Sequence, residues 1–368
     1  MADHDLIQYL RLVMTTGVGP LTLHSLLSHF ESPEAVFAAS PDELVAVEGV
    51  GIALARRLRT TEFLEQAVQT IDFCHEVGID IICPDDPSFP RLLKELPDPP
   101  SVLYVRGNLL PTDALAVAIV GTRGASAYGR SQAERLSRAL ARAGLTIVSG
   151  LARGIDASAH RAALETGGRT IAVLSSGVHE IFPPQHVELA KSIANQGAVI
   201  SEMPPHAKPK KGMFPQRNRL ISGLSLGTIV IEAATRSGAL ITARHAGEQG
   251  REVFALPGLV TSPAARGCHQ LIRDGAHLIQ DPEDVLEELG PLVEGIQIKE
   301  DQTIRHAGEL QLNEQESIVL QAIPLEATDI DAVVVASGLP VSRVLSTLSV
   351  LEMRRLVRRV SGQCVQRL

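Results

Sequence analysis

Apolar positions along the chain fall into three regimes. Over the first 75 residues they recur at helical spacing, in LIQYLRLVM, TTGVGPLTLHSLLSHF and SPEAVFAASPDELVAVEGVGIALARRLRT. Two turns, Gly17-Val18-Gly19 and Gly49-Val50-Gly51, interrupt those helices and predict a helix-hairpin-helix-like arrangement. Such a turn bares backbone N–H groups at a helix N-terminus, where a phosphate can dock; the same module also serves as plain helical packing. Residues 80–113 are Pro-rich with short apolar runs, which predicts a connector with two strands.

From residue 114 the spacing changes. Short Val- and Ile-rich runs at 115–121, 145–150, 169–176, 197–203, 227–233 and 251–258 alternate with amphipathic helices such as 130–144, 155–167 and 238–250. Apolar strands separated by helices predict an α/β fold, a Rossmann-like, doubly wound, mostly parallel sheet covered on both faces. Residues 281–310 hold a short acidic helix and then lose periodicity. Helices near Glu314–Ile323, Ile330–Ser337 and Val341–Met353 follow, then the strand-like runs RRLVRRV and QCVQRL on either side of Ser361-Gly362, the order of a winged helix. The expected division is a helical, helix-hairpin-helix or SAM-like domain over 1–78, an extended Rossmann-like domain over 79–290, a linker over 291–309 and a winged helix over 310–368.

Composition narrows the class. With 45% hydrophobic and 21% charged residues the chain of 368 is an ordinary folded protein. Its start has no basic region before the apolar run, and no charge-free stretch long enough to span a bilayer occurs, so a cytoplasmic protein without membrane contact is expected. Cys74, Cys83, Cys268 and Cys364 are scattered without ligand spacing, which argues against a disulfide framework and against zinc. Net charge is −8, yet residues 114–280 carry 19 Lys and Arg against 10 Asp and Glu, a local +9. A basic island in an acidic protein suits a polyanion. The winged helix is balanced, six Arg against seven acids from Glu309 onward, so a protein contact there is as natural as duplex reading.

Three loops carry candidate chemistry. The first strand-to-helix turn, IVGTRGASAYGR, places Gly121, Gly124 and Gly129 where backbone amides approach a phosphate, with Arg123 inside the loop. The spacing is not GxGxxG, and the second strand ends in Val148-Ser149-Gly150 without the acid a dinucleotide ribose needs, so no nucleotide cofactor is expected. The second loop, SGLARGIDASAH, brings Ser149 to the same sheet edge and offers Asp156 as a helix N-cap. The densest run is KPKKGMFPQRNRLISGLS, in which Lys208, Lys210, Lys211, Arg217 and Arg219 surround Phe214, with Asn218 between the two arginines; the whole chain has only 3% aromatics. Cations hold phosphates and an aromatic face stacks an unpaired base; Phe214 packing inward on the sheet is the competing reading.

IVGTRGASAYGR, SGLARGIDASAH, FPQRNRLISGLS and EAATRSGALITARHAGEQGREVFALPG, in that order, resemble the DprA (Smf) DNA-processing family over about residues 80–280. The resemblance implies a protein that binds single-stranded DNA, protects it and loads the RecA recombinase on it during natural transformation; with no paired carboxylate, Ser/His/Asp set or Walker A loop in the sequence, no catalytic activity is expected. By motif position its DNA pocket would involve Arg123, Ser149, Lys211, Phe214, Arg217, Asn218 and Arg219. It also implies a homodimer, for which the apolar positions of GALITARHAGEQGREVFALPG, including Leu240, Ile241 and Ala246, are the candidate surface. The alternative is a nucleotide-processing enzyme: GLSLGTIVIEA, with Glu232, is faintly similar to the glycine-rich motif of nucleoside monophosphate phosphoribohydrolases.

Overall fold

The computed structural model describes residues 3–60, 63–289, 291–299, 302–306, 309, 312–354, 356–360 and 363–368. Glycine turns and serine caps punctuate the first helices. α1 (Asp3–Met14) and α2 (Pro20–Phe30) are joined through Gly17, and α5 (Ile52–Leu58) follows Gly49; both glycines have positive φ, +103° and +85°. Between them α3 (Pro33–Ala38) and α4 (Pro41–Val45) start at Ser32 and Ser40, whose hydroxyls accept from Ala35 N and Glu43 N. The two glycine turns lock reciprocally. Gly17 faces Leu54 and Arg57 of α5, with Arg57 donating to Thr16 O, and Gly49 faces Thr22 of α2. α6 (Leu64–Val77) leads into the sheet, and Tyr9, Leu26 and Cys74 share one apolar cluster with Leu151, Leu174 and Val178.

Nine strands form the central sheet: β1 (Asp80–Ile82), β2 (Leu103–Gly107), β3 (Ala116–Val120), β4 (Thr146–Ser149), β5 (Thr170–Val173), β6 (Ala198–Ser201), β7 (Gly227–Val230), β8 (Glu252–Ala255) and β9 (His277–Leu278). Their order is β1-β2-β6-β5-β4-β3-β7-β8-β9; the run from β6 to β9 is parallel, and β1 and β2 extend it antiparallel. The two strands expected in the Pro-rich connector are thus this edge, with the single turn of α7 (Arg91–Lys94) between them. Covering helices are α8 (Ala127–Arg142), α9 (Ile155–Glu165), α10 (Val187–Gln196), α11 (Met213–Gly223), α12 (Gly238–Glu248), α13 (Arg266–Arg273) and α14 (Pro282–Glu288).

Side-chain alternation along β3 shows why its sequence reads as a continuous apolar run. Ala116, Ala118 and Val120 pack with Leu220 and Ile221 of α11 and Ala243 of α12, whereas Val117 and Ile119 pack with Leu136 and Leu140 of α8 and Ala159 of α9. From β3 the chain winds outward through β4, β5 and β6, then returns to place β7 on the other side of β3. The carboxyl ends of β3 and β7 therefore flank a topological switch point, where open α/β sheets gather ligands.

Residues 291–309, expected as a linker, contain an antiparallel pair, β10 (Pro291–Lys299) with β11 (Gln302–His306). Two register shifts interrupt their pairing. The last segment is a winged helix: α15 (Glu314–Gln321), α16 (Ile330–Ser337) and α17 (Val341–Met353), with β12 (Thr328–Asp329), β13 (Val357–Arg359) and β14 (Cys364–Arg367) as a small sheet. Of its expected strand runs, Arg355 and the Ser361-Gly362 turn lie outside the described residues. Among the described residues no single helix is long and apolar enough to cross a membrane.

Candidate nucleic-acid interface

The loops after β3 and β4 interlock. Gly154, at φ +79°, brings the second loop so close to the first that a Cβ there would lie 2.3 Å from Thr122 O. Asp156 does not cap its helix, because Gly154 is the N-cap of α9. Its carboxylate instead turns back into the loop and accepts from Gly150 N and Ala152 N, both at 3.2 Å. Leu151 is held in the left-handed region, φ +57°, while its carbonyl accepts from His186 Nδ1 at 2.8 Å.

These loops, α11 and the N-terminus of α12 bound a cleft of about 440 Å3 at the switch point. Arg123 stands exposed at its mouth with its guanidinium carbon 5.2 Å from the Phe214 ring centre, so the cation lies over the aromatic face. Phe214 is half-buried, and its other neighbour is Phe182, edge-on at 6.0 Å. Below them Arg217 is buried and donates through Nη1 to Val173 O at 2.6 Å, leaving Nε without a partner. Burial pushes the Arg217 pKa down to about 10, with Asp156 pulling the other way; the same burial raises Asp156 against the pull of Arg217. At neutral pH the floor of the cleft still carries a guanidinium. Asn218 lines the wall and donates from Nδ2 to Gly238 O at 3.2 Å, tying α11 to the start of α12.

Three of the seven sequence-predicted residues lie elsewhere. Ser149 is fully buried and donates to Ile119 O at 2.6 Å, so its hydroxyl joins β4 to β3 and lies outside the cleft lining. Arg219 points away from the cleft into a pair with Glu202 (2.6 Å) and Asp98 (3.0 Å). Helical geometry explains the split: Phe214, Arg217, Asn218 and Ile221 recur at i, i+3, i+4 and i+7 and share the cleft face, whereas Arg219 at i+5 falls on another. Lys211 is exposed on the segment entering α11, outside the cleft lining. The residues that sequence reasoning missed are Asp156 as part of the cleft floor, Ser237, Ala239 and Thr242 as its far wall, and Phe182.

The proposed catalytic carboxylate has another task. Glu232 accepts from Ser126 N at 2.9 Å and Ser126 Oγ at 2.5 Å and presses on Gly129, where a Cβ would lie 2.3 Å from Oε2. Both oxygens thus anchor the first turn of α8. The expected docking face at 238–258 is likewise used internally: Ala246 is fully buried, Leu240 packs against the core and Ile241 lines the cleft. A larger groove of about 630 Å3 between α9 and α10 is lined by Arg161, Glu165 and Glu188 with Leu164, Leu189 and polar neighbours, without an aromatic side chain.

Comparison with known proteins assigns this arrangement. Residues 80–290 match the family model of DNA recombination-mediator protein A, residues 305–363 the DprA winged helix domain, and residues 9–60 a SAM-like helix-hairpin-helix tandem. Protein Smf of Synechocystis sp. is 36% identical with all of both chains covered, and protein Smf of Escherichia coli is 37% identical over 88% of this chain and 87% of its own. Among solved structures, DNA processing protein A of Streptococcus pneumoniae is 35% identical with a TM-score of 0.62, covering 76% of this chain and 97% of that one. The Helicobacter pylori protein, described for its single-stranded DNA binding mode, is 31% identical with a TM-score of 0.52 over 57% of this chain and 95% of that one. The chain belongs to the DprA/Smf family of DNA-processing recombination mediators.

Proposed function

We propose that this protein binds single-stranded DNA in the cleft at the β3–β7 switch point and hands it to the RecA recombinase. The observation that carries the reading is the Arg123 guanidinium poised over Phe214 above the buried Arg217. A base stacked on the ring leaves its phosphates within reach of cations, and duplex bases, already stacked on one another, offer no free face. The Helicobacter pylori relative's single-strand binding supports the choice of ligand, and the family's description as recombination mediators supports RecA as recipient. The engagement of Glu232 by Ser126 favours binding over phosphoribohydrolase chemistry.

The protein acts in the cytoplasm as a homodimer, since two pockets on one flexible strand make the second contact intramolecular. Leu259 and Val260, exposed at 77% and 81% beside the 238–258 segment, and Leu278 on the edge strand β9, 49% exposed, are apolar side chains free to make that contact. The proposed division at 290/291 assigns binding to the Rossmann-like domain. A chain ended at Leu289 should keep its single-strand affinity and its dimer in light scattering, and the full chain should pull down RecA on single strands. Loss of DNA binding on that truncation would move the essential contacts into the winged helix.

A further inference from the structure

Beyond the cleft, a second set of rings stands at the same carboxyl edge of the sheet, on the loops that follow β5 and β6. Phe182 is 41% exposed and touches Phe214, and three residues before it in the same loop His179 is exposed. His179 lies 5.1 Å, ring centre to ring centre, from His206 in the neighbouring loop, and both meet Phe73 of α6, at 5.1 Å and 4.1 Å. Backbone bonds hold the two loops together: Gly177 N donates to Ala207 O at 2.8 Å and His179 N to Pro205 O at 3.1 Å. Three chain steps cannot separate Phe182 from His179 by more than about 11 Å. The rings therefore continue outward from Phe214 in a protein poor in aromatics.

Charge follows the same path. Lys208, Lys210 and Lys211 run from His206 to the start of α11, all exposed, and make no ion pair among the described residues. Over residues 174–183 and 203–211 the only acid is Glu180, so the phosphates of a strand crossing here belong on the lysine side and the bases on the ring side. Histidine rings stack unpaired bases as other aromatics do, and exposed, unpaired lysines have no structural partner to give up.

We propose that the loops at 177–183 and 204–211 form a second base-stacking subsite, in which a single strand leaving the Arg123–Phe214 cleft crosses Phe182 and the His179–His206 pair with its phosphates on Lys208 and Lys210. The inference rests on the single-strand reading of the cleft. It implies that short oligonucleotides fill the cleft alone and that longer ones gain affinity from the outer rings.

The test is fluorescence anisotropy of the full chain with labelled thymidine oligonucleotides of about five and about twenty nucleotides, one near the short end and one beyond the long end of the roughly 4–16-nucleotide footprints of single-strand sites. The double variant His179→Ala/His206→Ala removes two exposed rings. It should bind the short oligonucleotide like wild type and the long one about tenfold or more weaker, the loss of one or two stacked bases. Lys208→Gln/Lys210→Gln should flatten the salt dependence for the long oligonucleotide only. Undiminished affinity of both double variants for the long strand, or equal losses at both lengths, would overturn the second subsite. Failure of the cleft reading itself is distinct: Phe214→Ala would then leave both lengths unaffected.

Discussion

The guanidinium of Arg217 rests on the bare α-carbon of Gly150: a Cβ at position 150 would lie 1.9 Å from Nη1. Glycine is required there for space, not for backbone freedom, since its φ is not positive. Gly150→Ala must push Arg217 off Val173 O and out of its place beside Asp156. Overpacking of this kind costs about 1–3 kcal/mol. Thermal unfolding should register that loss, and anisotropy should show weakened single-strand binding. Wild-type affinity in a destabilised Gly150→Ala protein would mean that Arg217 serves the fold and not the ligand.

Ser149 and Arg219 belong to the motifs but lie outside the cleft lining. Ser149→Ala removes only the bond to Ile119 O, so stability should fall by about 1 kcal/mol with DNA affinity unchanged. Arg219→Ala strands the Glu202 carboxylate, largely buried beside it, and should cost about 3 kcal/mol in urea unfolding while short-oligonucleotide affinity holds at temperatures where the variant is folded. A selective loss of affinity in either variant, with stability intact, would return that residue to the interface.

How far the sequence reaches is visible in these residues. Strands β3 to β7 were legible because burial on both faces makes each a short, mostly apolar Val- and Ile-rich run. The three winged-helix helices were legible from apolar spacing and the Gly338-Leu339-Pro340 turn. The site was legible as a set of loops and not as a set of side chains. Arg217, Asn218 and Arg219 are adjacent in sequence, but each helical step turns about 100°, so three consecutive residues cannot share one narrow cleft. Helical spacing from Phe214 would have selected Arg217, Asn218 and Ile221 and set Arg219 aside. Nothing local marks Ser149 as inward-facing, since its partner Ile119 is thirty residues away. Phe182 meets Phe214 only through the fold.

Buried His160 sets an acid limit on the fold. Thr170 Oγ1 gives its proton to Ile147 O at 2.6 Å, so it accepts from His160 Nδ1 at 2.7 Å, which places the imidazole proton on Nδ1 and leaves Nε2 buried without a partner. Burial, with His186 and Arg217 adding repulsion, pushes the His160 pKa down to about 3. The unfolded chain takes up this proton near pH 6.5 and the folded one does not, so stability is lost as pH falls from 6.5 toward 3. From pH 6.5 to 5 the His160 contribution is about 2 kcal/mol at 1.4 kcal/mol per unit. Chemical denaturation at the two pH values should show His160→Gln losing less on acidification than wild type by that amount. Identical losses would mean that His160 is protonated in the folded state.

Salt titration of single-strand binding tests the central claim most directly. Each phosphate contact on a single strand contributes about 0.7 to the slope of log affinity against log salt, whereas a stacked base contributes about 1–3 kcal/mol without ions. The cleft geometry predicts tight, salt-sensitive binding to single strands over duplex, a slope reduced by about 0.7 in Arg123→Ala, and in Phe214→Ala a loss of about 1–3 kcal/mol with the slope unchanged. Equal affinity for duplex and single strand, or a Phe214→Ala protein that melts earlier yet binds DNA as wild type does, would contradict it.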